Sequence, residues 1–213
     1  MKTARNETEI TKIREKILEN ALDIIAGKGL DGLTMRNLAA KTHMTAPNLY
    51  NFFSSKDEIY IHIIIHGFEL LRADLKAAFD SHEDAVIRVR AMINAYMVFG
   101  MKQPRYYDVM FTRPTPKYND YVGTPLEKIS EIEFRLSMEI ADLALKAASA
   151  AMGGHVAEGM LRHRLIQIWS LMHGMISLNN SKVMDYVTES ADQDYKIIID
   201  EVIASLTDAH SGF

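Results

Sequence analysis

The chain has no cysteine. Disulfides and cysteine-ligated zinc are therefore excluded, and a reducing, cytoplasmic setting is the natural expectation. Long apolar runs are missing too. The longest, Ile59 to Ile65, is interrupted by His62 and falls far short of the roughly 20 residues a membrane span needs. No membrane partner is expected. The opening MKTARNETEITKIREKILEN lacks the apolar centre of a secretory signal. Proline and glycine are scarce, five and eleven in 213 residues, and no stretch alternates apolar with polar residues between turn signals, so strands are not expected. There is no Gly-rich phosphate loop, no Gly-x-Ser-x-Gly and no catalytic pair of carboxylates, which leaves no basis for an enzyme or a cofactor. His62 and His66 stand four residues apart, a spacing that suits a metal, but no third ligand accompanies them. The plainer reading is two histidines on one helix face.

What is present is helical periodicity. Ile10, Ile13, Ile17, Ala21 and Ile24 form one stripe, ended by Gly27-Lys28-Gly29. Ser55 is placed to cap a long helix that begins KDEIYIHIII, with Asp57 and Glu58 favoured in its first turn by the helix dipole. Further helices are expected over 85–102, from Pro104 through PRYYDVMF, over 125–151, 156–180 and 189–207. TRPTPKYNDYVGTP is the one long polar, proline-rich loop. The expected fold is all-α, of about nine helices. Charge is uneven along it. Residues 1–56 carry nine Lys/Arg against six Asp/Glu, whereas the whole chain has a net charge of −4. A small basic head on an acidic body follows, although charge segregation of this size also occurs on solvated faces.

The stretch LTMRNLAAKTHMTAPNLYNFF, residues 33–53, holds two helices too short to stand alone. Thr34 and Thr45 sit at N-cap positions. Leu33 with Leu38, and Met44 with Leu49, repeat the spacing of a hydrophobic staple. Pro47 falls in the first turn of the second helix, where a missing N–H costs nothing, so the Thr45 hydroxyl must cap the amide of Asn48. Met35, Leu38 and Ala39 form one inner face and Leu49, Phe52 and Phe53 the other, a helix-turn-helix pattern. Pro47 and Asn51 point away from that core, flanked by Asn48 and Tyr50. Asparagine can pair bidentately with adenine, a tyrosine hydroxyl can reach a phosphate, and the amides at a helix start can do the same. The same spacing also fits an αα-corner whose Asn and Tyr merely face solvent.

The run from Thr34-Met-Arg-Asn-Leu-Ala-Ala through Met44-Thr-Ala-Pro-Asn-Leu-Tyr50-Asn-Phe-Phe-Ser-Ser-Lys56 resembles the DNA-binding head of the tetracycline-repressor (TetR-type) regulators. Residues 10 to 60 carry the match: a Thr-led helix, a Leu-Tyr pair in the recognition helix, and a Lys opening the next helix. His43 stands where many members have glycine, and histidine tolerates the left-handed turn conformation better than most residues. The resemblance implies a three-helix head over 1–56 and a larger helical regulatory and dimerisation domain over 57–213. It implies contacts to a double-stranded operator from Thr34, Arg36, Thr45, Ala46, Pro47, Asn48, Tyr50, Asn51 and Lys56. The alternative is a helical ligand-binding or protein-interaction module that does not bind DNA.

Aromatic residues and methionines crowd the middle third. Tyr96, Phe99, Met101, Tyr106, Tyr107, Met110, Phe111 and Tyr118, with Met138 on a later helix, are core residues singly but a candidate pocket for an apolar or aromatic effector together. WSLMHGMISL, residues 169–178, resembles the Trp-x-x-x-His-Gly segment of one TetR subgroup and adds Trp169 and His173 to that pocket. The helix after Ser55 is the one element expected to connect ligand and DNA. Leu161, Leu165, Ile168, Trp169 and Met172, then Ile198, Val202, Ile203 and Leu206, make the last two helices apolar enough to meet a second subunit. The resemblance implies a homodimer formed through a four-helix bundle.

Overall fold

The computed structural model describes residues 7–154 and 156–207. Among them there are ten α-helices and no strand: α1 Glu7–Gly32, α2 Met35–Thr42, α3 Ala46–Tyr50, α4 Lys56–Asp80, α5 Ala85–Lys102, α6 Pro104–Tyr107, α7 Tyr118–Tyr121, α8 Glu127–Ala151, α9 Glu158–Asn180 and α10 Ala191–Thr207. A π-helical turn, Asp108–Thr112, follows α6, and a 3₁₀ turn, Met184–Tyr186, precedes α10. The one helix beyond the expected nine is α7, a single turn inside the proline-rich loop. No described helix is long and apolar enough to cross a membrane.

The chain packs as two compact units, residues 1–68 with 105–135, and 69–104 with 136–213. Both α4 and α8 therefore contribute to each. In the first unit, Ile17, Leu22, Ile25, Leu33, Leu38, Leu49, Phe53 and Ile59 are almost wholly buried and join α1, α2, α3 and the start of α4 in one core. The glycine stop in α1 is a kink rather than an end. Gly29 takes φ 73°, ψ 176°, a combination essentially confined to glycine, and one more turn runs to Gly32. Ser55 caps α4 through the Glu58 amide at 3.1 Å, and Glu58 reaches back to the amide and hydroxyl of Ser54, each at 2.6 Å.

The second unit is built on α5, α9 and α10. Gly100 lets α5 approach α9 closely: a Cβ there would lie 2.5 Å from Ile176 Cδ1. Asn180 Nδ2 donates to the Gly100 carbonyl at 3.0 Å, and the Tyr195 hydroxyl donates to the Met175 carbonyl at 3.0 Å. Arg90 and Asp200 pair between α5 and α10. Five of the residues expected to meet a second subunit, Leu161, Ile168, Met172, Ile203 and Leu206, are buried inside this unit. They are core. A helix of this kind spends much of its bulky apolar stripe on its own unit; the exposed residues of α9 include Trp169, which was also expected at a subunit contact, and Ile166, Ser170, Gly174, Ser177 and Leu178. Nothing lies within 4 Å of a Cβ added to Gly174, so that face is open.

Candidate nucleic-acid interface and effector region

Both short helices begin as their threonines require. Thr34 is extended and its hydroxyl accepts the Asn37 amide at 3.0 Å. Thr45 accepts the Asn48 amide at 3.3 Å. Between them His43 takes φ 56°, ψ 36°, the left-handed conformation that ends α2. Thr42 turns its hydroxyl back onto the Leu38 carbonyl at 2.8 Å. The recognition helix α3 is shorter than its sequence pattern: five residues, with Asn51 as C-cap and Phe52 and Phe53 beyond it. Phe53 is still core, 1% exposed. Phe52 is half-buried, its carbonyl taken by the Arg14 guanidinium, which also gives a hydrogen to His62 Nε2 at 3.1 Å and lies 4.1 Å from the centre of the Phe53 ring. Arg14 thus fastens the end of α3 to α1 and α4. Because arginine always donates, this His62 nitrogen must be unprotonated. His62 Nε2 also lies 3.9 Å from Glu58 Oε1, and the His66 ring packs 5.6 Å from that of Tyr106.

Of the nine residues named for DNA contact, Thr34, Arg36, Thr45, Pro47, Tyr50 and Asn51 are exposed, and Ala46, Asn48 and Lys56 are half-buried. Tyr50 is 54% exposed, beside the fully buried Leu49. Pro47 has no N–H and Asn48's is capped, so in the first turn of α3 the Ala46 amide is the one left for a phosphate. Lys41, by contrast, is held 2.9 Å from Asp23, and the hydrogen bond from Lys41 keeps that carboxyl below the usual carboxylate range.

The residues expected to line a pocket fall into two groups. In the first unit, Tyr107 and Met110 are buried, Tyr107 and Phe111 rings lie 5.3 Å apart, and Phe111 meets Phe68 of α4 edge-on at 5.9 Å. Tyr106 and Met110 close over Gly67, where an added Cβ would come 2.5 Å from Met110 Sδ. In the second unit, Trp169 Nε1 donates to the Tyr96 hydroxyl at 2.9 Å, which bonds His173 Nε2 at 3.0 Å. The Trp169 and His173 rings meet edge-on at 4.9 Å. Phe99, 1% exposed, is core. Met138 departs from expectation: it is 46% exposed, on the outer side of α8.

The segment 104–113 is also mounted directly on α1. Arg105 pairs with Asp23 and Glu19. Arg113 donates to the Ala26 carbonyl at 2.6 Å while holding Asp108 at the start of the π-helical turn. The expectation that α4 alone joins the two regions is therefore corrected. Long arginines at both ends of a short segment gave no periodic pattern from which this could be read.

A capped helix-turn-helix followed by a helical body is the architecture of a DNA-binding regulator. Residues 17–63 match the model of the bacterial regulatory proteins of the tetR family, and residues 89–202 match the tetracyclin repressor-like C-terminal domain. The chain belongs to the TetR family of transcriptional regulators. It is 27% identical over 112 residues to the transcriptional activator FasR of Mycolicibacterium smegmatis, 53% of this chain and 48% of FasR, so it spans about half the length of that relative. It is 23% identical over 129 residues, 61% of this chain and 68% of the relative, to IcaR, negative regulator of the biofilm operon icaADBC in Staphylococcus aureus. The fold is shared with a tetR-family regulatory protein of Rhodococcus RHA1 at TM-score 0.70 and 17% identity, over 92% of this chain and 97% of that one.

Proposed function

We propose that the protein is a cytoplasmic, homodimeric, non-enzymatic repressor that leaves a palindromic operator when a small apolar or aromatic effector binds. The observation that carries the DNA reading is the outward rank of Pro47, Asn48, Tyr50 and Asn51 on a helix whose other side is fully buried. Asn48 and Asn51 take base edges. Tyr50, Lys56, Thr34, Arg36 and the Ala46 amide take phosphates and set the register. The domain division that serves this reading is a DNA-binding head over 1–56 and a regulatory body over 57–213.

The open α9 face of Ile166, Ser170, Gly174, Ser177 and Leu178, with Ile197 exposed on α10, is the surface for the second subunit. Small residues there allow two helices to approach closely. The Trp169/His173 spacing, which brings both side chains to Tyr96, supports placement in the Trp-x-x-x-His-Gly subgroup. Effector contacts are assigned to Tyr106, Tyr107, Met110 and Phe111 in one unit and to Tyr96, Trp169 and His173 in the other. Release rather than recruitment is the reading favoured by the repressor relatives, against FasR, which is an activator.

The test is to incubate purified protein with random genomic fragments, sequence what it retains, and titrate the recovered duplex. A palindrome bound with steep salt dependence is expected, its half-site centres about 10–10.5 bp or a multiple apart. Enrichment of no sequence would leave a helical interaction module.

A further inference from the structure

The recognition helix α3 is little more than one turn, Ala46–Tyr50, and a turn of that length does not hold its own ends. Its start is fixed locally, by the Thr45 cap and by the wholly buried Leu49. Its end, which carries Asn51, is fixed from a distance. Arg14 of α1 donates to the Phe52 carbonyl, just beyond Asn51, and its guanidinium carbon lies 4.1 Å from the centre of the Phe53 ring. Its Nη2 lies 3.1 Å from His62 Nε2 on α4. The His62 ring meets Phe53 as well, edge-on at 5.4 Å. One guanidinium therefore ties α1, the end of α3 and α4 together.

The tie to α4 depends on protonation. Arginine only donates, so His62 Nε2 must offer its lone pair. A proton on that nitrogen removes the acceptor and sets two cations 3.1 Å apart. Glu58 Oε1 lies 3.9 Å from the same nitrogen and can take the new N–H, while Glu58 Oε2 stays with Ser54. Protonated His62 thus exchanges a partner on α1 for one on its own helix, and Arg14 loses one of its three contacts. The residues one turn from Arg14 on α1, Ile10, Thr11, Ile17 and Leu18, bring no further charge, nor do Phe52, Phe53 and Ser54 at the end of α3. On α4, His66 follows His62 by one turn, its ring packed on Tyr106. We infer that Arg14 is the positioning residue that sets Asn51 against a base, and that His62 makes this hold sensitive to acid, so that operator affinity drops as His62 gains a proton. The inference rests on the DNA-binding reading of α3. A guanidinium that only filled space would leave operator affinity indifferent to the state of His62.

The duplex recovered from genomic fragments is titrated with full-length protein at pH 7.5 and 5.5, at one salt concentration, after circular dichroism shows each variant folded at both. His43, exposed in the turn before α3, also gains charge over this range and favours DNA. The quantity read is therefore the difference between parent and His62→Gln, whose amide oxygen still accepts from Arg14 but takes no proton. On acidification the parent should lose about fivefold more operator affinity than His62→Gln. Arg14→Ala should bind the operator about tenfold more weakly at pH 7.5, and adding His62→Gln to it should leave the pH profile unchanged. Arg14→Lys, which keeps a cation and a donor, should recover part of the loss. A second readout needs no DNA. The Phe52 and Phe53 amides, bonded to the Leu49 carbonyl at 2.9 and 3.1 Å, should lose hydrogen-exchange protection at pH 5.5 in the parent and keep it in His62→Gln. Equal pH profiles in parent and His62→Gln, unchanged protection, or full operator affinity in Arg14→Ala overturns the inference. If no duplex is recovered, the DNA-binding reading fails, and exchange alone decides whether acid loosens the end of α3. If Arg14→Ala does not fold, His62→Gln and Arg14→Lys decide.

Discussion

The Tyr96 hydroxyl lies 3.0 Å from His173 Nε2 and accepts the Trp169 indole N–H at 2.9 Å. Burial lowers the His173 pKa below its ordinary value and so favours the neutral imidazole. Below the ordinary histidine pKa the unfolded chain binds a proton that the folded chain refuses. Stability should fall as pH drops below 6.5 toward the depressed folded value, and this contribution should be flat above it. Urea unfolding at pH 7.5 and 5.5 measures the slope. His173→Gln should reduce it, and an unchanged slope would mean that other groups set the acid sensitivity.

Asn48→Ala or Asn51→Ala should cost on the order of 1–3 kcal/mol at the operator and relax preference at single base positions. Titrations against point-mutated operators read this directly. If both variants keep full preference, the bases are read by other residues.

Lys56→Gln should weaken binding to every sequence by a similar factor and reduce the slope of log affinity against log salt by about one unit. A loss confined to the operator would make Lys56 a base contact.

Arg113→Ala removes the donor to the Ala26 carbonyl and the partner of Asp108. Both are half-buried, so the cost to stability should be on the order of 1–2 kcal/mol. The stronger effect should be on communication. Effector affinity measured with and without saturating operator should differ by a coupling of about 1–3 kcal/mol in the parent and by less in Arg113→Ala. An unchanged coupling would return the whole signal to α4.

Two glycines facing crowded neighbours should respond differently to alanine. At Gly100 the new Cβ meets three atoms of Ile176, at 2.5, 2.8 and 3.0 Å. A β-branched side chain cannot swing clear, and about 1–3 kcal/mol of stability should be lost. At Gly67 the nearest atom is Met110 Sδ, on a flexible chain, and alanine's helix propensity, better by about 1 kcal/mol, should offset the shift. Thermal unfolding of the two variants should separate them by several degrees.

Much of the head was legible before any coordinate. Thr34 and Thr45 as caps, Pro47 in a first turn and His43 in a left-handed turn are local chemistry, decided within four residues of chain. The long helices followed from 3.6-residue periodicity for the same reason. The length of α3 was less legible, because Asn51 to Phe53 keep an apolar spacing while Arg14, distant in sequence, takes the Phe52 carbonyl and holds the chain out of the helix.

The sequence by itself thus determined the helices, their caps and the polar rank of Asn48, Tyr50 and Asn51, since each depends on neighbours along the chain. Only the tertiary structure decided which apolar faces were already spent. Leu161 and Ile203 proved to be core and Ser170 and Gly174 surface, because periodicity marks an apolar side without saying what covers it. The mounting of Arg105 and Arg113 on α1 and the Trp169–Tyr96–His173 chain were likewise invisible beforehand. Each joins groups tens of residues apart, and burial and partnership are properties of three-dimensional packing.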